Sequence, residues 1–131
     1  MRILEEIKYF IQRGKRGYSE RDLWDPCNYL CDIIPSILRD LAKKSHGCPS
    51  ELWDKKAKNN ECHRWIEIIE EIAQGFEAAK AIENSIGCNF KKELEDGAFK
   101  YEYDKKLAKQ MTEKFEKGMN LFKKYFLYLW D

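Results

Sequence analysis

The apolar residues in the last part of the chain recur at intervals of three or four residues. Side chains at this spacing share one face of an α-helix, whereas a strand would alternate apolar and polar residues. The spacing predicts a helix from about residue 104 to 129, and its bulky face requires other helices to cover it. The residues that form this face are Met111, Phe115, Met119, Phe122, Phe126 and Leu129.

Three further segments show the same periodicity, and no predicted strands alternate convincingly with the helices. They predict helices over about residues 2–13, 26–44 and 60–87, and hence an all-α domain over 1–131, a bundle of four main helices. The apolar faces are Ile3, Leu4, Ile7, Phe10 and Ile11; then Leu30, Ile34, Ile37, Leu38 and Leu41; then Trp65, Ile68, Ile69, Ile72, Phe76 and Ala79. We predict that Trp65, Ile69, Ile72 and Phe76 pack against Phe115, Met119, Phe122 and Phe126.

Local signals define where the second helix begins. Ser19 and Asp22 have the spacing of a reciprocal cap, in which each side chain accepts from the other's backbone amide. Asp25 is a second cap, and Pro26 suits the first helical position, where no amide hydrogen is needed. Pro35 lies inside the helix and removes one backbone hydrogen bond, which predicts a kink there.

We make two further predictions, one about helix packing and one about a loop. Gly75 lies within the third helix, where glycine is costly, and this predicts a close contact with another helix. Residues 99–103 alternate apolar and polar side chains, but we predict a loop over 88–103 in preference to a hairpin.

The 131-residue chain carries 24 basic and 23 acidic residues, a net charge of +1. This balance argues against sequence-specific nucleic-acid binding, which favours a strongly basic domain. The charges are nevertheless uneven, since 61–83 holds six Glu against two basic residues and 105–124 holds seven Lys against two Glu. We predict that the two segments complement each other within the chain or across a dimer. A basic surface for an anionic ligand is the alternative.

No apolar run approaches the roughly 18 residues that a membrane span needs. Glu5 and Glu6 come too early for a secretory signal peptide. We therefore expect a cytoplasmic protein without a membrane partner. Its five cysteines, odd in number and irregularly spaced, are expected to be thiols in that reducing compartment.

Two groups of residues have the chemistry of metal ligands. Glu67, Glu70 and Glu71 can offer oxygen to Mg²⁺, as in all-α nucleotide pyrophosphohydrolases, but no facing acidic pair is evident. The second group is His46, Cys48, Cys62 and His63. These residues have the side chains that bind zinc, but their spacing along the chain is not that of a typical zinc site. We interpret the glutamates as an exposed acidic face and predict a non-catalytic protein without a metal or cofactor.

The candidate ligand-binding residues are Tyr18, Arg21, Trp24 and His46. Aromatic and basic side chains near a helix start suit a small anion such as a nucleotide. His46 follows the far end of a helix of about 20 residues, roughly 30 Å away. One site can use all four only across an antiparallel pair of chains. The last helix, apolar on more than one face, independently predicts a homo-oligomer, most simply a twofold dimer.

Several segments together resemble a family of small helical proteins encoded by bacteriophages and prophages. They are Gly17-Tyr18-Ser19 with Asp22 and Trp24, Ser45-His46-Gly47 with Pro49, Trp65 with Gly75-Phe76, and the run from Gly118 through Leu121-Phe122 and Tyr125-Phe126 to Leu129-Trp130-Asp131. The resemblance implies a setting, the bacterial cytoplasm during infection, and no mechanism.

This setting favours an accessory anti-defence protein that sequesters a small anionic ligand, such as a nucleotide signal. Two alternatives stay open. One is a protein that inhibits a host defence complex by docking on it. The other is a Mg²⁺-dependent nucleotide pyrophosphohydrolase.

Overall fold

The computed structural model describes residues 2–52, 62–84, 90–93, 95, 97, 99–102 and 105–130. The protein is all-α with four main helices, as the periodicity predicts. They are α1 (Arg2–Arg16), α2 (Pro26–Lys44), α3 (His63–Glu83) and α4 (Lys105–Tyr125). Short 3₁₀ turns follow at Asp22–Trp24, Ser50–Leu52 and Phe126–Tyr128. In the described part of the chain, no helix is long and apolar enough to cross a membrane.

A small hairpin precedes α4. Strand β1 (Phe90–Glu93) pairs antiparallel with β2 (Phe99–Glu102), and Phe90 lies opposite Glu102. Gly97, in the connection, has a φ of +82°, a conformation that glycine adopts readily in turns. The predicted loop over 88–103 is therefore wrong for the residues of these two strands, and the alternation over 99–102 was the correct signal.

The core forms where α3 packs against both α2 and α4. The Trp65 ring meets the Tyr125 ring edge-on at 5.5 Å, and Phe76 meets Phe122 in the same way at 5.2 Å. The predicted core is confirmed for the α3 residues and for Met119 and Phe122, which pack against them. The buried apolar cluster consists of Cys31, Leu38, Trp65, Ile68, Ile69, Ile72, Phe76 and Tyr125.

The predicted core position of Phe126 is wrong, because its side chain is exposed. Helix α4 ends at Tyr125, and the next three residues form a 3₁₀ turn. A 3₁₀ turn has 3.0 residues per turn, so a side chain after the change no longer continues the α-helical stripe. Tyr125 takes the buried position instead.

The α3 and α4 backbones touch at two glycines. A Cβ added to Gly75 would lie 2.7 Å from the Cα of Gly118, and one added to Gly118 would lie 2.6 Å from the Cα of Gly75. The close helix contact predicted at Gly75 is confirmed. Its partner, Gly118, was not anticipated.

Helix α2 turns only part of its predicted face to the core, where Ile34 and Leu41 pack against the buried cluster that includes Leu38. Its buried residues are Cys31, Pro35 and Leu38, whereas Leu30 and Ile37 are exposed. Because α2 packs mainly on α3, only one side of its wide apolar face is covered. The helix continues through Pro35, and the kink there stays a prediction.

Candidate functional site

Helix α1 is attached to the rest of the protein by a polar cluster of Arg13, Ser19 and Asp22. The backbone amide and hydroxyl of Ser19 donate to Asp22 Oδ2 at 2.7 and 2.9 Å, and the Asp22 amide donates back to Ser19 Oγ at 3.3 Å. This is the predicted reciprocal cap. Arg13 Nε donates to the same carboxylate at 2.9 Å and holds the pKa of Asp22 well below its usual range. We call these residues the Asp22 cluster.

Further polar contacts hold α1 along the same side. Lys8 pairs with Glu20 at 2.7 Å, and Arg21 pairs with Glu6 at 2.6 Å. The Arg21 guanidinium also lies 4.6 Å from the centre of the Tyr9 ring. None of the residues of α1 is buried, so this helix is fixed by charge and hydrogen bonding rather than by apolar packing.

The predicted ligand residues are only partly brought together. Tyr18, Arg21 and Trp24 lie in and beside the turn that follows α1, and Trp24 is largely exposed. The Arg21 guanidinium is already paired with a carboxylate and a ring of α1. His46 follows the far end of α2, whose 19 residues span about 28 Å. A site that uses all four residues still requires a second chain.

The candidate Mg²⁺ ligands pair with cations of the chain, Glu70 with Arg39 and the other two with Arg64. Glu70 accepts from Arg39 Nε at 3.2 Å and from Arg39 Nη2 at 3.0 Å, and these hydrogen bonds lower the pKa of Glu70. Glu67 and Glu71 both pair with Arg64, at 3.2 and 3.4 Å. Because each carboxylate already has a cationic partner within the chain, the three do not converge on one metal site.

The acidic face of α3 is balanced mostly by α2 and by α3 itself. Arg39 of α2 also pairs with Glu77. Between α3 and α4, Glu71 pairs with Lys117 at 3.6 Å. The predicted complementarity between the two charged segments is therefore seen within the chain at this pair.

A shallow groove of about 710 Å³ runs between α2 and α3. Two of the cations that line it are engaged, since Arg39 binds two glutamates of α3 and Lys80 pairs with Asp32. An anion that binds Arg39 or Lys80 would have to compete with these carboxylates. The lining residues are Cys31, Asp32, Pro35, Ser36, Arg39, Asp40, Lys43, Glu77, Lys80, Ala81 and Asn84.

Cys48 and Cys62 form a disulfide, with their Cα atoms 5.9 Å apart. The expectation that all cysteines are thiols is wrong for this pair. The alternative zinc site of His46, Cys48, Cys62 and His63 is wrong as well, because sulfurs bonded to each other cannot act as thiolate ligands. Spacing along the chain could not show this pairing, which depends on how the end of α2 approaches the start of α3.

Two acidic groups and two cysteines meet where α2 begins and α3 ends. Asp25, Cys27 and Glu83 bring one ligand atom each within 4.8 Å of one another, all at the surface. Asp25 also accepts from the Asn28 amide at 3.0 Å, which is the predicted cap. The hydrogen bond between Asp25 and Glu83 raises the pKa of Glu83. Exposed acidic groups are often this close without an ion, so the cluster alone does not identify a site.

The same junction does not activate a cysteine nucleophile. Burial raises the pKa of Cys31 to about 11, and burial together with the charge of Glu83 raises the pKa of Cys27. Both thiols are therefore protonated at neutral pH, whereas catalysis requires the thiolate.

A small aromatic pocket of about 160 Å³ lies beside the disulfide. Trp65 is buried at its base, as predicted, whereas Trp130 is exposed. The pocket is smaller than the roughly 300–1,000 Å³ of most small-molecule sites. The pocket is lined by Gly47, Cys48, Pro49, Trp65, Tyr128 and Trp130.

Many of the exposed large apolar side chains fall in three groups. The α1 stripe is Ile3, Leu4, Ile7, Phe10 and Ile11; the α2 stripe is Leu30, Ile33 and Ile37; the C-terminal cluster is Phe126, Leu127 and Trp130. Apolar patches of this kind mark interaction sites more often than isolated exposed residues do.

Sequence reasoning missed the α2 stripe. The available signal was the adjacent pair Ile33 and Ile34, which makes the apolar face of α2 wider than one neighbouring helix covers. No family model, curated protein or solved structure matches the chain. The resemblance to phage proteins stays a prediction.

Proposed function

We propose that this protein is a non-catalytic binding protein that docks on another protein through the α2 stripe. The observation that carries this proposal is the exposure of Leu30, Ile33 and Ile37, at 46%, 37% and 60%. These residues lie at i, i+3 and i+7, the spacing with which one helix face enters a partner's apolar groove. Aliphatic side chains on a rigid helix offer such a partner area without a large ordering cost.

Sequestration of a nucleotide is less well supported. Three cations at the candidate ligand surfaces, Arg21, Arg39 and Lys80, are paired with carboxylates of the same chain. An anion would gain less from these groups than from free cations. The pyrophosphohydrolase alternative is weaker for a related reason, because its three glutamates are paired with Arg39 or Arg64.

The resemblance to phage proteins makes a host defence complex the first partner to test, in the bacterial cytoplasm. The disulfide between Cys48 and Cys62 counts against a fully reducing compartment. The oxidation state of this pair in protein isolated from cells therefore tests the setting independently of the partner.

A matched pair of variants tests the docking surface. Ile37→Lys places a charge on the α2 stripe. Ser36→Lys adds the same charge at the preceding residue, which is also exposed but lies about 100° around the helix, away from the stripe. We expect full-length chain and Ser36→Lys to capture the same protein from a bacterial lysate, and Ile37→Lys to lose it. With the captured protein purified, the Kd should rise more than tenfold for Ile37→Lys only. Equal binding by all three chains would contradict the proposal.

A thermal-shift screen against linear and cyclic nucleotides separates the two functions. A ligand present at about 100 times its Kd adds about 2.7 kcal/mol of stability, which raises the Tm by several degrees in a domain of this size. We expect no such shift. A nucleotide that stabilises wild type but not Arg21→Ala would favour sequestration instead.

A further inference from the structure

We propose that α1 pairs with α1 of a second copy of this chain, antiparallel, about a twofold axis at Ile7. The α1 stripe is the largest group of exposed apolar side chains among the described residues, with exposures between 48% and 79%. Helix α4, which the sequence suggested as the dimer helix, contributes none of the large exposed apolar side chains. This inference goes beyond the proposed function and uses a different surface.

The order of residues along the α1 stripe is symmetric about its centre. The apolar positions are 3, 4, 7, 10 and 11, which are the same when counted from either end. With Ile7 opposite Ile7 of an antiparallel copy, Ile3 faces Ile11 and Leu4 faces Phe10. A twofold interface requires such a self-complementary surface, because each half presents the same residues to the other.

The charges of α1 favour the antiparallel over the parallel arrangement. Glu6 and Lys8 flank Ile7 on the helix. In the antiparallel register Glu6 lies opposite Lys8 of the second copy, whereas a parallel copy opposes like charges. The helix dipoles also oppose each other favourably in this arrangement.

The attachment of α1 leaves this stripe available to a second copy. The Asp22 cluster and the Lys8–Glu20 and Arg21–Glu6 pairs fix the polar side of the helix to the turn before α2. A stripe held in place loses little conformational freedom when it pairs. Five side chains are fewer than the roughly 20–30 residues per side of a standard interface. We therefore expect a dimer that dissociates on dilution.

The first test compares masses over a dilution series by analytical ultracentrifugation. Wild type should move from twice 15.7 kDa toward 15.7 kDa on dilution. Ile7→Lys, which places two charges at the axis, should be monomeric at every concentration with unchanged helix content. Ile37→Lys, an equal change on the α2 stripe, should dimerise like wild type and thus separates this proposal from the docking function. A wild-type monomer throughout, or an Ile7→Lys dimer, would overturn the proposal.

A cross-linking test determines the orientation. Chains carrying Leu4→Cys and Phe10→Cys, with different tags, are mixed and oxidised, and the wild-type chain reports any linkage through exposed Cys27. Antiparallel pairing predicts cross-links between the two different chains. Cross-links within each variant would indicate a parallel pair and overturn the proposal. A third outcome is that wild type is monomeric and captures a different protein, and that Ile7→Lys abolishes this capture. In that case the α1 stripe binds that protein rather than a second copy, and the proposal is overturned.

Discussion

Helix α1 and the α3–α4 pair begin from the same kind of sequence pattern and end in opposite environments. Between α3 and α4, Gly75 and Gly118 let the backbones touch, and Phe76 packs edge-on against Phe122. Helix α1 has an equally regular apolar stripe but buries none of its residues. Periodicity therefore shows that a helix has an apolar face, while coverage of that face depends on a neighbour with a matching shape.

The difference separates stability from interaction in this molecule. The α3–α4 contact supplies apolar burial, which is the main source of folding free energy. Helix α1 is held by charged and hydrogen-bonded groups, which contribute less when they are near solvent. Changes to the α1 surface should therefore alter assembly without unfolding the core, and changes to the core should do the reverse.

The largest expected contrast is between two phenylalanines. Phe76→Ala removes a buried ring from the core and should lower the free energy of unfolding by about 3–5 kcal/mol. Phe10→Ala changes a ring that is 79% exposed and should stay within about 0.5 kcal/mol of wild type. Urea denaturation of dilute protein measures both. Similar losses for the two variants would mean that α1 packs in solution as α3 does.

The disulfide should stabilise the core side of this comparison. Cys48 and Cys62 are 14 residues apart, and closing a loop of about this length restricts the unfolded chain by about 3 kcal/mol. The double variant Cys48→Ser with Cys62→Ser should lose about that much in urea denaturation without reductant. Wild type should lose the same amount when reductant is added. An unchanged midpoint in both cases would show that the bond does not form in solution.

The features that the sequence predicted correctly are those that depend on neighbouring residues. The Ser19–Asp22 cap and the Asp25 cap with Pro26 need only a few consecutive residues, and all are found. The buried face of α3 was also predicted, because α3 has neighbours on two sides and most of its apolar residues are covered.

Several of the failures involve contacts between residues that are distant in the chain. Exposure of Ile37 depends on α2 having one main neighbour, and the Cys48–Cys62 bond depends on the approach of two helix ends. At the candidate site, Arg21 appeared free for an anion because its partner, Glu6, lies fifteen residues earlier. The sequence showed which side chains could bind an anion, but it did not show which of them are already paired with a carboxylate of the same chain.

Substituting two glycines by alanine should change the stability in opposite directions. Gly118→Ala would place its Cβ against the backbone of Gly75, and such overpacking costs about 1–3 kcal/mol. Gly14→Ala lies in α1 with nothing within 4 Å and should gain about 0.5–1 kcal/mol from its better helix propensity. Thermal denaturation should show a lower Tm than wild type for Gly118→Ala. For Gly14→Ala the Tm should be unchanged or higher. A gain in both would mean that the α3–α4 crossing opens without cost.

The smallest expected effect is a pH-dependent release of α1 through the Asp22 cluster. Hydrogen bonds from Arg13 and Ser19 lower the pKa of Asp22 in the folded protein, while the unfolded carboxyl titrates near its usual value of about 3.9. A lowered pKa means that this stabilisation is present above about pH 4 and is lost as the pH falls below it.

Amide hydrogen exchange measures this effect helix by helix. Exchange of the α1 amides should accelerate relative to α3 at about pH 3, because a released Asp22 carboxyl takes up a proton at this pH while the carboxylate held by Arg13 stays ionised. At neutral pH, Asp22→Asn should lower the protection of α1 by about 1–2 kcal/mol, since charge-assisted hydrogen bonds contribute about 1.5–3 kcal/mol and Arg13 is half exposed. Asp40→Asn, at an exposed carboxylate of α2, is the matched control. All variants are measured with Ile7→Lys also present, so that pairing of α1 with a second chain does not protect its amides. If α1 and α3 lost protection together, α1 would belong to the cooperative core and the contrast between the two regions would fail.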